Sequence, residues 1–295
     1  MQFDINKITI DEIASPLLLD KKVQLKILRL DKIHPVISGN KLFKLHYFLE
    51  QARQQSYTSI LSFGGAYSNH LVATAYACKK LKFNCTGIVR GEETANLSHT
   101  LKACINWGMQ LEFVSRKRYA EISQGAIKQT NSFVIPEGGY HPLGAKGASL
   151  IMGLLPQRDI THICIATGTA TTLAGLLLKA GATQTVVSIP VLKGFTDIKE
   201  RLQFLTGTNH YPNLTIFDEY HFGGYAKKTG ELINFMNELY KQYELPTDVV
   251  YTSKMMYAVF GKIKNGFFAE GSNIVCIHTG GLQGNASLPE DSLIF

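Results

Sequence analysis

The sequence predicts an α/β protein whose sheets are open, mostly parallel and flanked by helices, and three observations lead there. From about residue 23, short β-branched runs alternate with longer amphipathic stretches, the pattern of repeated strand–helix units. Glycine-bearing turns fall where predicted strands hand over to helices, at Gly39-Asn40-Lys41, Gly64-Gly65-Ala66-Tyr67-Ser68-Asn69-His70 and Thr167-Gly168-Thr169-Ala170-Thr171-Thr172. A chain of 295 residues, 45% hydrophobic and 18% charged, also buries enough apolar surface for one large domain or two lobes.

The first predicted strand covers residues 23–30, and residues 41–54 read as a helix with Leu42, Leu45 and Leu49 on one face. Residues 59–63 form a strand, 69–81 a helix, 85–89 a strand, 97–107 a helix closed by Gly108, and 111–114 a strand. A helix over 119–130 and a strand over 132–135 repeat the unit, and a helix over 145–155 follows Glu137-Gly138-Gly139. The strand 162–166 runs into the turn at Thr167 and a helix over 173–180. Strands at 186–189 and 215–217, helices at 230–242 and 253–265, and a last strand at 274–278 ending in Thr279-Gly280-Gly281 complete the pattern. No repeat or Pro/Gly/Ser-rich linker is present, so two lobes would be joined at ordinary loops near residues 44 and 145.

The formal charge of +7 raises nucleic acid or membrane binding as a question, but the basic residues are scattered as on solvated faces. Neither partner is expected. Cys78, Cys85, Cys104, Cys164 and Cys276 lie in apolar segments without the close pairing of a zinc site or the even count of a disulfide framework, so buried, reduced thiols are expected and no metal site is. The start of the chain shows no charged leader with an apolar run, and no stretch suits a bilayer span, which leads to an expected cytoplasmic location.

Strand-to-helix turns expose free N–H groups at the positive end of a helix and so bind anions, although each alone also fits a tight connection with a Ser or Thr cap. None has the G-x-G-x-x-G or P-loop spacing, which argues against dinucleotide and ATP sites. The combination is more specific. Ser38-Gly39-Asn40-Lys41-Leu42-Phe43-Lys44-Leu45, the turn from Gly64 to His70, Ala166-Thr167-Gly168-Thr169 and His278-Thr279-Gly280-Gly281, in that order, resemble the pyridoxal 5′-phosphate (PLP) enzymes of the tryptophan synthase β fold, fold type II. Within that group the chain is most similar to the 1-aminocyclopropane-1-carboxylate deaminase and D-cysteine desulfhydrase family, over residues 31–284.

The resemblance implies a two-lobed enzyme with PLP held between a large lobe of residues 1–44 and 145–295 and a small lobe of residues 45–144, in a homodimer. It implies that Lys41 holds the cofactor as a Schiff base and then moves the substrate proton; placement at a helix N-terminus, which disfavours an ammonium, agrees with this. Lys44 is implied to hold the phosphate, together with Ala166, Thr167, Gly168 and Thr169, and Thr171 to replace a hydroxyl often found at the position of Ala170. Ser68, Asn69 and His70 match the turn that grips the substrate carboxylate, with Asn69 also reaching the cofactor's phenolic oxygen. Tyr225 and Tyr251 match two tyrosines beside the substrate.

The family divides on the residues near the pyridine nitrogen, where this chain has Thr252 and Thr279, the pattern resembling D-cysteine desulfhydrase. A neutral hydroxyl there makes a weaker electron sink than a carboxylate, which suits α-proton removal and expulsion of a good β-leaving group. The expected reaction is therefore α,β-elimination from a small D-amino acid, giving pyruvate, ammonia and sulfide from D-cysteine. Deamination of 1-aminocyclopropane-1-carboxylate is the alternative, and a non-catalytic anion-binding protein a third possibility.

Overall fold

The computed structural model describes residues 5–123, 131–156 and 159–295. β1 (Ile10–Ile13) and α1 (Pro16–Lys21) precede β2 (Gln24–Arg29), and α2 (Asn40–Gln54) follows. Next come β3 (Ser59–Gly64), α3 (Asn69–Leu81), β4 (Asn84–Arg90), α4 (His99–Asn106), β5 (Met109–Val114), α5 (Arg116–Glu121) and β6 (Phe133–Ile135). α6 (Pro142–Ala148) leads through a 3₁₀ segment, Ser149–Leu154, to β7 (His162–Thr167), α7 (Thr171–Leu177), β8 (Thr185–Pro190), α8 (Ile198–Thr206) and β9 (Leu214–Ile216). The last elements are α9 (Gly230–Tyr243), α10 (Thr252–Lys264) and β10 (Asn273–His278).

Among the described residues the strands form a six-stranded sheet, ordered β1-β2-β10-β7-β8-β9, and a four-stranded sheet, ordered β5-β4-β3-β6. Every pairing is parallel except β1 on β2, so the expected α/β architecture is the observed one. β2, β10 and β7 are neighbours running one way, with Arg29 opposite His278 and Cys276 opposite Cys164. The segments leaving their C-terminal ends therefore start side by side, where open α/β sheets place ligands. Those segments carry Lys41, Thr279 and the turn after Thr167. All five cysteines are buried free thiols.

Three differences from the sequence pattern have local causes. β1 leaves no strand pattern in the sequence because Asp11 and Glu12 interrupt its apolar residues, as suits an antiparallel edge strand on which charge discourages further pairing. α8 buries Ile198, Leu202 and Leu205 at helical spacing and closes at Gly207, φ 80°, so its signal was present in the sequence. The helix expected over 145–155 begins earlier, with Pro142 in its first turn and the His141 side chain accepting from the Leu143 N–H at 3.1 Å, and tightens to 3₁₀ after Ala148. The expected helix over 119–130 lies in part outside the described residues.

The positions where loops were expected to join two lobes, 44 and 145, fall inside α2 and α6. These helices meet backbone to backbone: a Cβ at Gly147 would overlap the Phe43 carbonyl. A rigid helix pair therefore connects the two sheets. At the start of α2, Gly39 takes φ 70° and ψ −145°, and the Asn40 N–H donates to the Thr279 carbonyl at 3.3 Å. A Cβ at Gly39 would overlap that same carbonyl in a backbone region open essentially to glycine alone. Gly39→Ala is expected to cost more than about 2 kcal/mol of stability by combined strain and overlap, read as a lowered denaturation midpoint at unchanged slope.

Candidate active site

Lys41 stands in the first turn of α2, and its Nζ donates to Asn40 Oδ1 at 2.6 Å. The other end of that amide, Asn40 Nδ2, donates to Thr172 Oγ1 at 2.8 Å, so one buried side chain ties the lysine to the start of α7. Burial pushes the Lys41 pKa down to about 8, against the opposing pull of Asp248. One turn on, Lys44 is buried and donates to the Gly138 carbonyl at 3.0 Å; burial, and then the neighbouring Lys41, hold it well below the ordinary lysine range. Neither lysine forms an ion pair among the described residues.

Facing these cations, α7 starts at Ala170 in the left-handed region, φ 63°, with no side-chain cap on its first N–H groups. Thr169 and Thr171 share a hydroxyl bond of 2.9 Å, and the Thr169 methyl would lie 2.9 Å from a Cβ placed on Gly138. Gly138 is thus the point where the Lys44 ammonium and the 168–171 turn meet. Uncapped amides opposite two buried amines make a receptor for a multiply charged anion.

On the other side, Tyr251 places its ring centroid 5.9 Å from Lys41 Nζ and its Cε1 3.1 Å from where a Cβ on Gly168 would be. Tyr225 crosses it edge to face, with ring centroids 6.1 Å apart. Burial raises both phenol pKa values, and the contact with Tyr225 raises that of Tyr251 further. Asp248, which sequence reasoning missed, anchors this corner. Its Oδ2 accepts from the Val250 and Tyr251 N–H groups at 3.0 and 2.9 Å, and its Oδ1 from the Thr252 N–H and hydroxyl at 2.8 and 2.7 Å. An Asp four residues before the first residue of a helix was the available signal. Gly281 closes the ring of contacts: a Cβ there would lie 3.1 Å from Asn69 Nδ2 and 3.4 Å from Asp248 Cγ.

A family signature described as "Pyridoxal-phosphate dependent enzyme" matches residues 14–280. The chain belongs to the pyridoxal-phosphate dependent enzyme family. It is 29% identical over 281 residues to the Pyrococcus abyssi protein named "Putative 1-aminocyclopropane-1-carboxylate deaminase", covering 87% of this chain and 84% of that one. It is 27% identical to the "Bifunctional D-cysteine desulfhydrase/1-aminocyclopropane-1-carboxylate deaminase, mitochondrial" of Arabidopsis thaliana, over 84% of this chain and 70% of the relative. A solved structure described as an ACC deaminase homologue superposes with a TM-score of 0.81 at 26% identity, covering 95% of this chain and 90% of that one.

The residues present suit PLP at both ends of the molecule. A partly desolvated lysine is the amine that an aldehyde requires, and Lys44 with the uncapped α7 start offers charge and N–H donors to a phosphate. Several side chains are engaged otherwise than the resemblance implied. The Thr167 hydroxyl bonds Ser188 at 2.8 Å across the sheet, and Ala166 packs in the core, so their side chains are turned away from the cradle. At Ala170 the governing feature is the left-handed backbone rather than a missing hydroxyl. His70 is 3% exposed and bonded to Ser62 at 3.0 Å, while Ser62 reaches the Ile135 carbonyl at 2.9 Å. Burial, then Lys44 and Lys41, push its pKa down to about 3, leaving a neutral core imidazole. Ser68 caps α3 by accepting from the Leu71 N–H at 3.3 Å. The single donor of Thr252 is spent on Asp248.

Two outcomes follow from this arrangement. Because the amine of Lys41 loses its proton near pH 8, trapping of pyridoxal on Lys41 by borohydride should rise with pH through about that value, as mass spectrometry of the labelled peptide would read, and Lys41→Ala should abolish it. Lys44→Ala should weaken PLP affinity by about 1–3 kcal/mol, whereas Thr167→Ala should cost less than about 1 kcal/mol, measured by equilibrium dialysis of the cofactor.

Proposed function

We propose that this PLP-dependent enzyme catalyses α,β-elimination from a small D-amino acid, with D-cysteine giving pyruvate, ammonia and sulfide. The observation that carries the proposal is the hydrogen bonding of Asp248 and Thr252. The Asp248 carboxylate is saturated by four donors and the Thr252 hydroxyl is one of them. That leaves the Thr279 hydroxyl, at the end of β10 and without a protein partner among the described residues, as the neutral group available to the cofactor's ring nitrogen. PLP, when bound, draws electrons from the substrate α-carbon. A neutral partner suits a reaction helped by a good leaving group more than the opening of a cyclopropane. Relatives named for both activities support the substrate class.

The chain's own groups divide the work. Lys41, whose amine is neutral above about pH 8, takes the α-proton, and Asn40 holds it in place. Ser68 and Asn69, where α3 begins, hold the substrate carboxylate. Tyr225, packed edge to face on Tyr251, turns its phenol to the substrate. Lobes of residues 45–144 and of 1–44 with 145–295, assembled as a homodimer, complete the proposal; light scattering of the purified protein tests the dimer.

Pyruvate and 2-oxobutyrate should be followed separately from D-cysteine and 1-aminocyclopropane-1-carboxylate. Pyruvate formation should exceed 2-oxobutyrate formation in kcat/KM by at least about tenfold, and Thr279→Val should reduce it by about tenfold while PLP stays bound. A preference for the cyclopropane substrate would assign the alternative reaction.

A further inference from the structure

Lys254 is fully buried on α10 and forms no ion pair among the described residues. Its Nζ donates to the carbonyls of His221 at 2.9 Å and Gly224 at 2.8 Å. A buried amine requires such partners, and the two acceptors lie three residues apart in a segment whose backbone is strained. Phe222 and Ala226 take φ 52° and 53°, values that side chains disfavour, around Gly223 at 90° and Gly224 at 122°. Tyr225 rides on this segment and is 49% exposed, so its own packing holds it only in part. Lys254 stands three residues after Tyr251, the residue that immediately precedes α10. There the Tyr251 ring packs edge to face on Tyr225 while Lys254 holds the backbone of the segment that carries it.

We propose that Lys254 is a positioning residue: it locks the 221–226 segment in its strained path so that Tyr225 is presented beside Tyr251 at the substrate site. The substrate half of this inference rests on the role given to Tyr225 above. α10 is a thirteen-residue helix packed in the larger sheet's core, with Met255, Met256, Ala258 and Val259 buried, and supplies the rigid support. Two donors from one side chain select a single loop path, whereas the turn's own bonds, Gly224 N–H to His221 and Lys227 N–H to Gly224, are local to it.

The test uses the PLP-loaded enzyme with Lys254→Met, which keeps the length of the chain and removes its donors, and Lys254→Gln, which restores two N–H groups. In Lys254→Met, hydrogen exchange of the Gly224 and Lys227 amides should accelerate by about tenfold or more while buried amides of α10 and β10 keep their protection. KM should rise about tenfold with kcat falling less than about threefold and the cofactor absorbance unchanged, Lys254→Gln should recover part of the loss, and in a Tyr225→Ala background the same change should add less than about twofold. Unchanged exchange at these amides overturns the lock whatever the reaction. An equal rise in KM with and without Tyr225 overturns the route through that tyrosine. If Tyr225→Ala itself leaves KM unchanged, the assigned role of Tyr225 fails and the substrate half of the inference falls with it, while exchange still decides the lock.

Discussion

Two lysine amines, Lys44 buried and Lys41 partly so, stand one helical turn apart without a carboxylate to neutralise them, and the architecture around the site is organised by that constraint. Removing an ammonium from water is costly, and a like charge nearby adds to the cost, so both amines are driven toward their neutral forms. Neutral acceptors, Asn40 Oδ1 for Lys41 and the Gly138 carbonyl for Lys44, satisfy donors without cancelling charge. Asp248 acts on Lys41 only from a distance, its oxygens being occupied by backbone and Thr252 donors. Burial, and then these two amines, keep the His70 imidazole neutral. The native fold thus carries a standing demand for an anion, and an anionic cofactor that satisfies it stabilises the folded state by mass action.

The opposing free energy comes from packing beneath and beside the site. α2 buries Leu45, Phe48 and Leu49 in the largest apolar cluster while its outer backbone meets α6, so Lys41 and Lys44 project from a helix fixed on both sides. Under the turn that follows β2, Arg29 engages Asp31 at 2.7 and 2.9 Å, and Asp31 faces His278 Nδ1 at 3.2 Å. His278 also reaches the Pro246 carbonyl at 2.8 Å, linking the end of β10 to the segment that carries Asp248. Two strand ends and the Tyr251 corner are therefore braced by one polar network in which the Arg29, Asp31 and His278 side chains are buried against one another.

The active site also illustrates how a residue type can be right and its role displaced. Thr167, His70 and Thr252 all lie within the motifs that mark the family, yet the Thr167 hydroxyl, His70 Nε2 and the Thr252 hydroxyl are engaged by Ser188, Ser62 and Asp248. Each serves the frame that presents neighbouring groups: the sheet edge before Gly168, the base of α3, and the cap of α10 that holds Tyr251. Asn40, Asp248 and Lys254 are the converse, buried polar side chains in ordinary-looking sequence whose geometry ties the chemistry-bearing residues together.

The α/β class, nearly every strand and helix, and the glycine-bearing turns were legible along the chain, because periodicity and glycine placement are local properties. The ordered motifs around Lys41, Ser68, Gly168 and Gly280 also carried the family, since each needs only its neighbours in sequence to be recognised. Tertiary structure alone decided which hydroxyl is free, which imidazole is buried, and that helices rather than loops join the two sheets. Those outcomes depend on partners far away in the chain: Asn40 and Thr172 are separated by 132 positions, and Lys44 and Gly138 by 94. A hydrogen bond is set by distance and direction in space, and no spacing along a single sequence encodes which distant donor and acceptor the packed core will bring within 3 Å.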